Sequence, residues 1–225
     1  MSADEARSRR AVVAAMRRLE ARGLNRGTAG NVSVRCGERM LITPTGLPPD
    51  RLRPELVVAM DLAADAPPEG PPRPSSEWRL HRDLLRARSD IGAVVHTHAP
   101  WCTVLACCHR PIPALHYMIA ATGGPIVPLV PYATFGTAEL SEAVVRTLGR
   151  HGLACLLANH GALAAGPDLA RALWLAEEVE ELARLYWASL QIGGPVLLPE
   201  AEIARVAERF RHYGPGGARE PDAGT

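Results

Sequence analysis

Two short apolar runs constrain this chain more than any other feature: Ile91 to Val95, and Leu153 to Ala158. Each follows a break in the pattern. Each is short enough to be a strand and apolar enough to be a buried one. Around them the periodicity changes. Val12, Val13, Met16 and Leu19 recur at helical spacing, which predicts a helix over about Ala6–Arg22 that stops at Gly23. Asn31 to Arg35 alternates polar and apolar residues, as a half-buried strand does. A turn over Cys36–Arg39 leads to a second strand at Met40–Thr43. Ser75 or Ser76 is placed to cap a helix reaching about Ala87, and Asp168 to cap the longest one, through about Leu190. A last helix is predicted over about Glu200–Phe210. Helices and strands thus alternate along one continuous chain, which reads as a single α/β domain over residues 1–213. A Gly- and Pro-rich tail, 214–225, is expected to be disordered. Residues 65–74 hold five prolines and one glycine, a loop rather than an interdomain linker.

Composition removes several classes of function. The chain has 225 residues and a formal net charge of +1, so no nucleic-acid partner is expected through bulk electrostatics, and any anion site must be local. No apolar run is long enough to span a bilayer, so no membrane partner is expected. No signal pattern opens the chain. The five cysteines, Cys36, Cys102, Cys107, Cys108 and Cys155, are odd in number and form no CxxC pair. They read as small buried hydrophobes in a reducing, cytoplasmic protein.

Chemistry gathers at the ends of the two buried runs. His96-Thr97-His98 follows the first, and extended residues two apart point to the same side. His160, in Asn159-His160-Gly161, ends the second. If the two strands lie near each other, three imidazoles meet. Glu77 stands in the first turn of the helix after the proline loop, where the helix dipole favours a carboxylate. Three histidines and one glutamate make a plausible zinc site. Each piece has an ordinary alternative: a surface or core histidine, or a capping carboxylate. His81, four residues after Glu77 on the same helix face, competes with it. His109, His116, His151 and His212 read as structural or exposed. A second group of residues suits an anion: Thr28-Ala29-Gly30-Asn31, Thr43-Pro44-Thr45-Gly46 and Ser75-Ser76 combine glycine, hydroxyls and a helix start. None matches a Walker or dinucleotide fingerprint. Ser75 and Ser76 immediately precede Glu77, so an anion there would lie beside the candidate metal.

Together, Gly23-Leu24-Asn25-Arg26-Gly27-Thr28-Ala29-Gly30-Asn31-Val32-Ser33, Leu41 to Gly46, Ser75-Ser76-Glu77-Trp78-Arg79, His96-Thr97-His98 and Asn159-His160-Gly161 resemble the class II aldolase and adducin family. Ile112 to Ala121 and Pro131 to Thr137 carry the likeness toward its bacterial L-fuculose-1-phosphate aldolase branch. The resemblance runs in order from about residue 6 to Tyr213. It implies a three-layer α/β/α fold around a mixed, largely antiparallel sheet. It also implies a homotetramer with active sites at subunit interfaces. One zinc ion per subunit would be held by His96, His98, His160 and, at rest, Glu77. Gly30, Asn31, Thr45, Gly46, Ser75 and Ser76 match the substrate-phosphate binders, with Thr28 beside them. Glu77 would also serve as acid–base. Tyr117, Phe135 and Tyr213 match residues that position the aldehyde or stabilise the transition state. The reaction implied is cleavage of a ketose 1-phosphate, L-fuculose 1-phosphate first, to dihydroxyacetone phosphate and an aldehyde. A 5-deoxyribulose or methylthioribulose 1-phosphate is the alternative substrate. An epimerase or dehydratase, or a non-catalytic adducin-like assembly module, is less well matched, because all four ligands and both serines are present.

Overall fold

A computed structural model of the protein describes residues 2–212. The helices are α1 (Ala3–Ala21), α2 (Trp78–Ala87), α3 (Pro100–Cys107), α4 (Ala138–Leu148), α5 (Leu169–Leu190) and α6 (Glu200–His212). The strands are β1 (Asn31–Cys36), β2 (Arg39–Ile42), β3 (Val58–Asp61), β4 (Ala93–Thr97), β5 (Leu129–Val130), β6 (Ala154–Leu157) and β7 (Gly161–Gly166). They form one seven-stranded sheet in the order β3-β2-β1-β4-β7-β6-β5. Only β5 and β6 pair in parallel; every other neighbouring pair is antiparallel.

The two-residue alternation of the strands divides the core into two layers. Val32 and Val34 of β1, Ala93 and Val95 of β4 and Ala162 and Ala164 of β7 pack under α1, α3 and α5. Met40 and Ile42 of β2, Val94 of β4 and Leu163 and Ala165 of β7 pack under α2 and α4. Helices therefore cover both faces, and the fold is the three-layer α/β/α arrangement with a mixed, mostly antiparallel sheet.

Local chemistry explains several element ends. Ser2 accepts from the Glu5 amide at the start of α1. Asp168 accepts from Arg171 at the start of α5, as its position predicts. At α2 the structure corrects the expectation. Neither Ser75 nor Ser76 is the cap; Glu77 holds that position and makes no side-chain capping bond. Ser75 Oγ instead accepts from the Glu77 amide at 3.3 Å. The Glu77 carboxylate is thereby left free to point elsewhere. Leu80, Leu84 and Leu85 of α2 are buried against the sheet. Each contributes about 1.5–3 kcal/mol, and together they fix where the helix start lies.

The two apolar runs are strands, but not neighbours. β7 lies between β4 and β6, and His160 sits in the turn joining β6 to β7 rather than at a strand end. Cys102 and Cys155 are buried, as expected; Cys107 and Cys108 are exposed, contrary to expectation, because they fall at the end of α3. No helix among the described residues is long and apolar enough to cross a membrane. Tyr213 and the 214–225 tail lie outside the described residues.

Candidate metal centre and active site

The sheet's pairing assembles the histidines. β4 and β7 are antiparallel with Thr97 opposite Ala162, so the β6–β7 turn carrying His160 arrives beside the end of β4. His96 shares the parity of Val94 and so faces the α2 layer. The start of α2 brings Glu77 to the same spot. Asn31 of β1 stands directly opposite His96 and faces the same way.

The three imidazoles form a closed group. Their ring centroids are 4.7–5.0 Å apart, and one nitrogen from each lies within 4.8 Å of the others. The Nε2 atoms of His96 and His98 approach to 3.1 Å. Glu77 closes the fourth side, with Oε2 3.2 Å from His96 Nε2 and Oε1 3.5 Å from His160 Nε2. His96 Nδ1 lies 3.0 Å from the Ala162 carbonyl oxygen, which can only accept. Nδ1 therefore carries the proton, and the Nε2 lone pair faces the centre.

Electrostatics agrees with the geometry. Against the opposing pull of Glu77, burial pushes the pKa values of His96, His98 and His160 down, which favours the neutral form that ligands must take. Burial pushes Glu77 up, but the facing His96 and His160, the Asn31 donor and His81 outweigh it, so the net shift is downward and the group is ionised. Glu77 Oε1 is buried and has no hydrogen-bond partner. An ionised oxygen left bare in the interior is costly. Three converging imidazole nitrogens and one such oxygen are the donor set of a divalent-cation site open to one more ligand. The residues present therefore fit a metal.

A cavity of about 490 Å³ opens from this centre. Thr28, Gly30, Asn31, Thr45, Gly46, Ser75, Ser76, Glu77, His98, Phe135 and His160 all line it. His96 is wholly buried behind them. Tyr117 does not line it: this ring is about half exposed and packs against His116 and Phe210. His81 is not a metal ligand, because both ring nitrogens are taken by Ser33 and Asn31. The Asn31 side chain is likewise committed, to His81 and Glu77, so any contact with a phosphate would come from its main chain.

Two glycines of the sequence motifs owe their place to crowding. A Cβ on Gly30, whose φ is +70°, would lie 2.3 Å from the Asn25 amide; one on Gly161 would lie 2.3 Å from the Thr97 carbonyl oxygen. Asn25 was not singled out from sequence, yet its Oδ1 accepts from the His98 amide at 2.9 Å and pins the end of β4. Arg26, Tyr132 and Asn159 also line the cavity without having been singled out. Their position inside the quoted motifs was the only signal.

Comparison with known proteins agrees. The Class II Aldolase and Adducin N-terminal domain matches residues 10–187. A 5-methylthioribulose-1-phosphate/5-deoxyribulose-1-phosphate aldolase of Rhodospirillum rubrum is 53% identical over 207 residues, 92% of each chain. An L-fuculose phosphate aldolase of Escherichia coli K12 is 51% identical over 193 residues, covering 85% of this chain and 88% of that one. A solved L-fuculose 1-phosphate aldolase superposes with a TM-score of 0.86 at 38% identity, covering 94% of this chain and 98% of the other. The chain belongs to the class II aldolase and adducin family.

Proposed function

We propose that this chain is a metal-dependent aldolase that breaks the C3–C4 bond of a ketose 1-phosphate, releasing dihydroxyacetone phosphate and a short aldehyde. The observation that carries the reading is Glu77: an ionised carboxylate, bare on one oxygen, stands between three neutral imidazoles and a cavity lined by Thr45, Ser75 and Ser76. A binding module would have no use for such an arrangement.

His96, His98 and His160 would hold one divalent cation per chain, zinc in our reading, with Glu77 as fourth ligand at rest. When bound, the cation supplies Lewis-acid polarisation of the ketose carbonyl, worth several kcal/mol to a transition state that gathers charge at C3. Thr28, Gly30, Thr45, Gly46, Ser75 and Ser76 grip the phosphate, whose binding energy orients the reacting carbons. Glu77, displaced by substrate, holds the proton that moves to or from C3, a role typically worth about 10²–10⁴ in rate. Tyr117 takes the C4 hydroxyl proton in cleavage and returns it in synthesis, with Phe135 and Tyr213 shaping the aldehyde end. Tyr117 stands outside the cavity of its own chain, which favours a homotetramer in which a second copy supplies it.

For the ketose we place 5-deoxyribulose or 5-methylthioribulose 1-phosphate ahead of L-fuculose 1-phosphate, the reverse of the order taken from sequence. The relative named for the first pair aligns over more of both chains, at slightly higher identity. L-fuculose 1-phosphate is the second reading, supported by the Escherichia coli relative and the superposed structure. All three sugars end in an apolar group, which suits the exposed rings of Tyr132 and Phe135 at the cavity mouth. The test is kcat/KM on these three phosphates and their unphosphorylated forms. The best should exceed the others by about 10–100-fold, the range set by small apolar differences in a pocket. Cleavage of none of them would overturn the proposal.

A further inference from the structure

His81 is wholly buried, four residues from Glu77, and has no part in the chemistry above. Its Nδ1 lies 2.8 Å from Ser33 Oγ and its Nε2 2.5 Å from Asn31 Oδ1. Asn31 Nδ2 in turn donates to Glu77 Oε2 at 2.9 Å. An ionised carboxylate can only accept, so the chain of bonds has one direction at its Glu77 end. Asn31 must present its NH₂ to Glu77, and its oxygen must then face His81. That oxygen needs a donor, so His81 must carry its proton on Nε2. Nδ1 is then an acceptor, and the Ser33 hydroxyl supplies the proton it accepts. Neither Asn31 nor His81 can turn over without breaking two bonds.

An asparagine amide is nearly symmetric in shape, so its two orientations differ chiefly in which hydrogen bonds they make. Turned, Asn31 would set its oxygen against Glu77 Oε2, two acceptors face to face, and would push the carboxylate off its line with His96 and His160. The arrangement of donors is what decides between the two orientations. Asn31 and Ser33 share one face of β1, and His81 descends on that face from α2, so the sheet and the helix together fix all three.

From this geometry we infer that His81 is a positioning residue for aldol chemistry: by donating from Nε2 to Asn31 it fixes the orientation of the amide that holds Glu77, without touching substrate or metal. The inference rests on the reading of Glu77 as the group that moves the C3 proton. It does not make His81 a ligand or a base. It predicts that His81 matters for turnover and little for substrate affinity, and that its effect passes wholly through Asn31.

The test has three parts. Nitrogen-15 NMR of the imidazoles in metal-free wild-type protein should show His81 as the neutral Nε2–H tautomer; the Nδ1–H tautomer or an imidazolium at pH 7 overturns the inference without any assay of activity. His81→Phe, which keeps a ring but removes the donor, should lower kcat about 10–100-fold, the range for groups one step behind a metal ligand, with KM for the ketose phosphate within about twofold. His81→Gln restores a donor of similar reach and should recover at least a third of the wild-type kcat. In an Asn31→Ala background, His81→Phe should cost less than a further threefold; additive losses would overturn the inference, since residues acting through one another are not additive. If His81→Phe fails to fold, the Gln variant and the wild-type NMR still decide. If Glu77→Gln kept wild-type turnover, the reading of Glu77 would fail by itself, while the tautomer and the coupling between His81 and Asn31 would stand or fall separately.

Discussion

Gly161 connects backbone packing to the metal centre, and replacing it by alanine tests that connection. The new methyl would lie 2.3 Å from the Thr97 carbonyl oxygen and 3.2 Å from His98 Cδ2. Carbon and oxygen pack no closer than about 3.3 Å, so β4 and β7 must part by roughly 1 Å where Thr97 faces Ala162. Overpacking of this kind costs about 1–3 kcal/mol, which in a chain of this size lowers Tm by roughly 3–10 °C. The larger effect should be functional. His96 and His98 flank Thr97, and His160 precedes Gly161, so the parting strands spread the three imidazoles. Misplacement of about 1 Å can cost about 10²-fold in rate. Calorimetry and a zinc or cobalt titration on Gly161→Ala should show the modest drop in Tm together with metal affinity weakened about tenfold or more and aldol cleavage down by about two orders of magnitude. Gly124→Ala is the control, because a methyl there meets nothing within 4 Å. A Gly161→Ala protein with wild-type metal affinity and turnover would refute the claim that this strand contact sets the spacing of the ligands.

Two further outcomes are expected. Replacing Ser75 and Ser76 together by alanine should raise KM for a ketose 1-phosphate at least tenfold, as loss of charge-assisted hydrogen bonds requires, and leave bound metal near one per chain; an unchanged KM would put the phosphate elsewhere. Burial holds His81 neutral, its pKa lowered from 6.5 to about 3, so below pH 6.5 the unfolded chain binds a proton that the native chain refuses. Stability should fall as pH falls from about 6.5 toward 3, by up to about 1.4 kcal/mol per pH unit from this group. Urea denaturation of metal-free His81→Gln should show that slope reduced by close to one proton, and an unreduced slope would place the titration elsewhere.

Much of this was legible in the sequence because local rules and tertiary structure agreed there. The apolar runs before His96 and His160 are strands in the structure, and the Asp168 cap and the long α5 follow it closely. The parts that were not legible depend on contacts far apart in the chain. β7 is Gly161-Ala-Leu-Ala-Ala-Gly166, residues with weak strand preference whose place in the sheet comes from pairing on both sides. Without it, the meeting of His160 with His96 had to be assumed. Two serines read as caps for α2, whereas the Ser75 hydroxyl oxygen accepts from the amide of Glu77, which itself holds the cap position. In sequence His81 competes with Glu77 for the metal; only its partners Ser33 and Asn31, 48 and 50 residues away, reveal another use. Tyr117 illustrates the same limit, since within one chain it never reaches the cavity.

The most direct test of the account is exchange of the C3 proton of dihydroxyacetone phosphate with deuterium, followed by NMR with no aldehyde present. Wild-type protein carrying one zinc per chain should catalyse the exchange, and protein stripped by a strong chelator should not until zinc or cobalt is restored. Glu77→Gln should keep its metal through His96, His98 and His160, still bind a dihydroxyacetone phosphate analogue, and lose orders of magnitude in exchange. Tyr117→Phe should keep most of the exchange while cleaving ketose phosphate slowly. Exchange at the wild-type rate by metal-loaded Glu77→Gln, or by rigorously metal-free protein, would contradict the account.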